Sequence, residues 1–318
     1  MKIETKKQTE KIFMIGGGAL ILLFPLLASG LQGTSYFLTI GKHIFLYATF
    51  ALAWDMLART GQVSFAHPAF FGLGAYFSAI LFKKYAVMGL IPSMIVSLIL
   101  CMAIAFALGI VTLRLKGLYF AIATLAFTLV MQTVATQLDG VTNGTAGITL
   151  PVILGQNDYA IYYFFVIFMG AIIFLSEYVQ RSKYHYSFTA IRSNEEVAKV
   201  VGIDIVKDKV LIFTVSSGIA ALLGMFYAYT SNFIDPASTF NLEIGTMGLA
   251  IAVLGGLYST IGPIIGGFIL VVLQEVLSNI VDTGYMLVYG LVIILVILFL
   301  PKGVVGLWNH IAEKKKSS

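Results

Sequence analysis

Long apolar runs, broken by clusters of charge or of glycine and proline, recur along the whole sequence. Ten of them read as candidate membrane crossings, at residues 12–31, 37–58, 65–82, 86–113, 118–138, 159–179, 210–231, 244–257, 260–277 and 285–300. A straight helix needs about 20 apolar residues to cross hydrocarbon. Several runs are longer or shorter than that, which predicts tilts and breaks. The first run follows Lys2, Lys6, Lys7 and Lys11 and resembles a secretion signal. It is nevertheless as long as a span, and the Leu27-Ala28-Ser29-Gly30 stretch makes a poor cleavage site, so it reads as a retained helix. The stretch 244–277 reads as two short crossings or a re-entrant pair, joined at the glycines beginning with Gly255. One continuous helix there would carry Lys314, Lys315 and Lys316 to the wrong side.

Composition removes the competing classes. The 318 residues are 59% hydrophobic and 11% charged, whereas soluble chains are about 45–50% apolar and about 25% charged. The expected fold is therefore an all-α polytopic helical bundle with Gly/Pro-broken helices, a single transmembrane domain spanning residues 1–318. The net charge of +5 is not a nucleic-acid signal, because Lys and Arg mark the cytoplasmic loops of such proteins. With the N-terminus inside, 17 of the 20 basic residues fall on the cytoplasmic side, leaving Lys42, Lys83 and Lys84 outside. Both termini and the long charged connection 180–209 are then cytoplasmic. The longest outside loop, 139–158, is acidic and rich in turn residues. Cys101, alone in an apolar run, reads as a small buried hydrophobe.

Little covalent chemistry is on offer. His43, His67, His185 and His310 are far apart, no CxxC, HExxH or GxSxG spacing occurs, and no nucleotide-binding P-loop is present. Neither a metal nor a cofactor is implied. Asp55 before Arg59, and Glu177 before Arg181, have i,i+4 spacing and read as interfacial ion pairs. Glu275, near an outer helix end, reads as snorkelling to the interface. A proton relay needs several such groups at membrane depth, and the sequence supplies no chain of them.

The glycines say more. Irregular backbone at membrane depth is tolerated only where it is buried in protein or lines a cavity. Two Gly/Pro-interrupted segments, 61–76 and 255–267, occur in corresponding halves and make Gly61, Gln62, Ser64, Gly72, Gly74, Gly255, Gly256 and Gly262 candidates for a translocation path. The competing reading is close helix packing, which Gly262-x-x-x-Gly266 would favour. In the loop 180–209, Ser193 with Glu196 fits a capping box, starting a helix of about two turns that runs to Val201. Gly202 would then take the left-handed C′ position. Val197, Val200 and Val201 form a small apolar face flanked by Arg192 and Lys199. That face suits either docking to a soluble partner or lying on the inner leaflet.

Taken together, these segments resemble the permease subunits of bacterial ABC importers of the branched-chain amino-acid (LivM) type. The likeness runs over roughly residues 38–307. It is carried by 61–76, by 114–125 beginning Arg114-Leu115-Lys116-Gly117, by 142–147, by Phe233-Ile234-Asp235-Pro236, by 255–267 and by Pro301-Lys302-Gly303. The loop 189–202 is similar to that family's EAA motif, with Glu196, Val197, Ala198 and Gly202 in the motif positions. Val197 stands where the family has Ala, Ala66 where it has Gly, and His185-Tyr186-Ser187 where it has Gly-Arg-Ala. The resemblance implies a bacterial inner-membrane permease that does no covalent chemistry and imports leucine, isoleucine or valine. It implies a second permease subunit, two cytoplasmic ABC ATPases that bind ATP, and an extracytoplasmic substrate-binding protein. Ala190, Ile191, Arg192, Asn194, Glu195, Glu196, Ala198 and Gly202 would meet the ATPase. A urea or short-amide permease, or a channel working alone, is the alternative.

Overall fold

The computed structural model describes residues 24–25, 33–84, 88–151, 157–280 and 303–307, with scattered positions between 287 and 298. Both termini, nearly all of run 12–31 and most of run 285–300 lie outside the described residues.

Helix follows the apolar runs. The long helices are α1 (Thr34–Ala58), α2 (His67–Ala79), α3 (Leu90–Thr112), α4 (Leu118–Gln137) and, after a short helical turn α5 (Asp139–Thr142), α6 (Asp158–Arg181). Next come α7 (Lys183–Ser193), α8 (Glu195–Val200), α9 (Ile205–Ser231), α10 (Pro236–Thr239), α11 (Leu242–Gly255) and α12 (Ile261–Ile280). Two two-residue strands, β1 (Ile148–Thr149) and β2 (Phe233–Ile234), pair antiparallel with Ile148 opposite Ile234. Among the described residues seven helical segments are long and apolar enough to cross a membrane; α10 and α11 together count as one. Their outward faces stay apolar: Val111 is 70% and Phe174 74% exposed. Water would not tolerate so continuous an apolar surface. The protein is an all-α, multi-pass membrane protein.

The run at 65–82 does not become a straight crossing. Its helix, α2, has only 13 residues, continues into a π-turn (Ile80–Lys84), and buries every residue except Phe77. The helix packs on α3, α4 and, most extensively, α9, while Phe50 of α1 meets His67 and Phe71 edge to face. Aromatic rings fill the space around it, with Phe70 5.9 Å and Phe120 6.1 Å from Phe213, centroid to centroid. Backbone replaces side chain at the α2–α9 contact: a Cβ on Gly74 would stand 2.2 Å from the Ala221 carbonyl oxygen.

Before α2 the chain is irregular, as expected for the 61–76 segment. Four of its backbone groups find side-chain partners. Trp54 Nε1 donates to the Ser64 carbonyl (2.8 Å) and Thr128 Oγ1 to the Phe65 carbonyl (2.6 Å). The Phe65 amide donates to Thr124 Oγ1 (3.0 Å), and that of Ala66 to Ser64 Oγ (3.1 Å). This is how a helix break survives in a low-dielectric interior.

After α11 the chain reverses at Gly256 and returns antiparallel in α12, which excludes one continuous helix. Close approach holds the hairpin: a Cβ on Gly255 would lie 1.8 Å from the Gly262 carbonyl, and one on Gly266 2.1 Å from that of Ile251. The Gly262-x-x-x-Gly266 spacing does the packing expected of it. Lys42, expected outside, lies within α1 and is half-buried. Cys101 is buried, as read from its apolar run.

Candidate functional site

The loop 180–209 is helical for most of its length. The helix breaks between α7 and α8 at Asn194, whose Oδ1 caps α8 by accepting the amides of Glu196 (3.0 Å) and Val197 (3.3 Å). The sequence reading placed this cap one residue earlier. Ser193 instead closes α7, with Oγ donating to the Thr189 carbonyl at 2.8 Å. Asn is as good an N-cap as Ser, so continuing α7 through Ser193 leaves the cap intact. The other end agrees with expectation: Gly202 has φ +84°. Its amide donates to the Lys199 carbonyl (3.1 Å) and the Ile203 amide to that of Ala198 (3.1 Å), the two bonds of a Schellman motif.

The loop residues divide by direction. Ile191 and Ala198 are buried, and so is Phe188. Glu195 accepts from Lys209 Nζ at 2.6 Å, and Lys209 is 1% exposed. Glu196 pairs with Lys116 across solvent at 3.4 Å. Ala190 is half-buried, whereas Asn194, Glu196 and Gly202 are exposed. Val197, Val200 and Val201 project outward, Val200 at 87% exposure. They form the expected apolar face, with exposed Lys199 beside it.

Arg192 points the other way. Its guanidinium lies over the Tyr258 ring, 3.9 Å from the centroid, and Nη1 donates to the Arg59 carbonyl at 3.3 Å. Gly61, at φ +82°, is next to it: a Cβ there would stand 3.4 Å from Arg192 Cα. The structure thus joins the loop to the first candidate path segment. Beneath lies a buried polar cluster. Asp55 pairs with Arg59 at 3.1 Å, with 0% and 4% of the side chains exposed, so this i,i+4 pair is interior rather than interfacial. Asp55 Oδ1 also accepts the Tyr258 amide at 2.6 Å. Arg59 Nη2 donates to Ser176 Oγ (2.7 Å), which meets Thr260 Oγ1 (2.9 Å). Thr260 Oγ1 in turn donates to Gln180 Oε1 (3.0 Å). A cavity of about 40 Å³ opens beside Arg59, Gln180, His185, Phe188, Arg192 and Tyr258. By contrast, Glu177 and Arg181 form the expected surface pair at 3.1 Å, and Glu275 accepts from Tyr36 Oη at 2.7 Å rather than standing alone.

The remaining path candidates are scattered. Gly72 faces the Phe240 ring, 2.5 Å from a built Cβ, and Gly74, Gly255 and Gly262 face backbone carbonyls. These four glycines face packed protein, the arrangement of the packing alternative. Gly256, at φ +120°, lies against Gly303. Ser64 is 1% exposed, and Gln62 is 3% exposed with Oε1 unpartnered. Tyr258, Thr260, Ser176, Gln180 and Lys209 escaped the sequence reading. Only the Gly255-Gly256 joint between the two short apolar runs pointed to the neighbourhood of Tyr258.

Residues 36–299 match the family described as branched-chain amino acid transport system / permease component. The high-affinity branched-chain amino acid transport system permease protein LivM of Escherichia coli K12 is 24% identical, over 92% of this chain and 74% of that protein. LivH of Salmonella typhimurium is also 24% identical, over 82% and 91%. BraD of Pseudomonas aeruginosa is 25% identical, over 85% and 93%. No solved structure matches the chain. With the family match covering most of the sequence, the chain belongs to the branched-chain amino acid transport system permeases.

Proposed function

We propose that this chain is one of two permease subunits in an ATP-driven importer of leucine, isoleucine and valine. It crosses the bacterial inner membrane about ten times, with both termini and the loop 180–209 in the cytoplasm. The observation that carries this reading is the capped helix α8, whose exposed Val197, Val200 and Val201 sit on a base fixed by Lys209–Glu195 and Arg192. A short rigid helix presenting apolar side chains is the shape a soluble partner grips. Here that partner is a cytoplasmic ABC ATPase, one under each permease. Nucleotide-driven closure of the ATPases displaces the loop and switches the bundle between inward- and outward-facing states. An extracytoplasmic binding protein delivers the substrate on the opposite face. The LivM, LivH and BraD relatives, named as branched-chain amino acid transport permeases, support the substrate class. For the path itself, Gly61, Gln62, Ser64 and Gly256 remain the proposed lining, while Gly72, Gly74, Gly255 and Gly262 set how closely its walls pack.

Reconstitution of the complete complex with labelled leucine, urea and lysine tests this. Leucine uptake that needs ATP and binding protein is expected. Uptake of urea alone would move the chain to the urea permeases. Uptake without any ATPase would make it a channel.

A further inference from the structure

The loop makes two kinds of contact, and they separate by residue. Val197, Val200 and Val201 face outward. Arg192 faces the bundle, where it touches two elements far away in sequence, the end of α1 through the Arg59 carbonyl and the α11–α12 turn through Tyr258. We propose that Arg192 and Tyr258 form the joint through which displacement of the loop reaches the transmembrane helices. This rests on the reading that the loop docks an ATPase, and it makes Arg192 a positioning residue instead of the docking contact implied by the family resemblance.

Three features support a joint. The stacking is close: a guanidinium 3.9 Å from a ring centroid is well inside the 6 Å within which cation–π attraction acts. The planar fork of Arg also leaves its edge free for the Arg59 carbonyl. Next, Tyr258 is held in a backbone conformation that only glycine adopts freely, with φ +66°. A bulky residue keeps such a conformation only where surroundings over-determine it, and here the hydrogen bond from its amide to the fully buried Asp55 does so. Finally, the joint is connected on its inner side. Asp55 and Arg59 belong to α1, Ser176 and Gln180 to α6, and Thr260 leads directly into α12. All are linked by the hydrogen bonds from Arg59 to Ser176, Ser176 to Thr260 and Thr260 to Gln180. A push on α7 is therefore delivered to three helices at once. Arg192 and Tyr258 also border a cavity of about 40 Å³. Contiguous polar contacts of this kind are one physical route by which coupling passes between distant sites.

The strained turn supplies a clean test. Tyr258→Gly removes the ring and its contact with Arg192 while relaxing the positive φ and keeping the amide that Asp55 holds. In the reconstituted complex, Tyr258→Gly and Arg192→Gln should co-purify with the ATPases at wild-type stoichiometry, and thermal unfolding of the complex should not shift downward. Labelled leucine taken up per ATP hydrolysed should fall about tenfold or more, within the usual range of coupling effects. Tyr258→Phe, which retains the ring, should stay within about twofold of wild type on the same scale. Wild-type uptake per ATP in Tyr258→Gly would overturn the proposal. So would loss of ATPase co-purification in that variant, or equal uncoupling in Tyr258→Phe. The docking reading fails separately, if Val200→Glu leaves ATPase co-purification unchanged.

Discussion

Adding one methyl group to Gly224 should be among the most damaging small changes in the molecule. A Cβ there would stand 1.8 Å from the Phe71 carbonyl oxygen, whereas ordinary contact begins near 3.4 Å. Helices α2 and α9 would have to part by about 1.6 Å, since neither partner is a flexible side chain. A gap of about 1 Å already forfeits about half of a dispersion contact. The affected seam also includes Gly74 against Ala221, so relief at one point opens the other. Overpacking in a close-packed core costs about 1–3 kcal/mol. With two backbone contacts opened together, Gly224→Ala belongs at the top of that range, about 3 kcal/mol, or more than a hundredfold in the folding equilibrium.

Gly170→Ala is the control. Gly170 lies in α6 with nothing within 4 Å of a built Cβ, so the substitution should be neutral or slightly stabilising. Trp54, whose Nε1 donates to Ser64 next to α2, is a natural fluorescence reporter for SDS titration in mixed micelles. The midpoint of Gly224→Ala should fall well below that of Gly170→Ala. Equal midpoints would refute the claim that α2 and α9 meet backbone to backbone. The same geometry applies to Gly74→Leu, whose loss of transport would report broken packing before it reported a blocked path.

Three further outcomes are expected. Cysteines introduced at Asn157 and Ser193, both exposed, should react with an impermeant thiol reagent from outside and inside respectively; labelling of Ser193→Cys in intact cells would reverse the topology. Asp55→Asn strands the buried Arg59 guanidinium and should lower stability in the same micelle titration by about 3 kcal/mol, with Asp55→Asn/Arg59→Met recovering much of it if the loss is electrostatic. Gly202→Val places a β-branched residue at φ +84°, which is strongly disfavoured; the protein should insert normally but retain little ATPase on purification, and full retention would remove α8 from the docking surface.

Most of the helical framework was legible because membrane crossings are written as uninterrupted apolar length. That signal survives without any knowledge of packing. It failed at 65–82, where the run is apolar enough for a span but encodes a 13-residue helix buried along nearly its whole length against α3, α4 and α9. Hydropathy cannot distinguish a lipid-facing helix from one enclosed by protein, since both are apolar all round. The glycines share this ambiguity. A stripe without side chains can line a pathway or admit a neighbouring backbone, and only the positions of the Ala221, Gly262 and Phe71 carbonyls decide between them.

The polar cluster behind the loop explains why site residues were harder to read than helices. Its one local element, the i,i+4 spacing of Asp55 and Arg59, was visible, because helix geometry makes neighbours of residues four apart. Everything else about the pair depends on partners 117 and 203 residues away, Ser176 and Tyr258. No periodicity encodes such meetings. An interfacial pair and an interior one therefore have the same sequence signature, yet opposite consequences. At the interface, water screens the charges and the pair is worth little. Inside, each charge depends on every hydrogen bond around it, and loss of one partner is severe. A loop anchored on such a cluster cannot slide independently of it. Movement at α7 must be taken up either by breaking the Arg192–Tyr258 stack or by carrying the ends of α1, α6 and α12 along, and uptake per ATP in Tyr258→Gly separates the two courses.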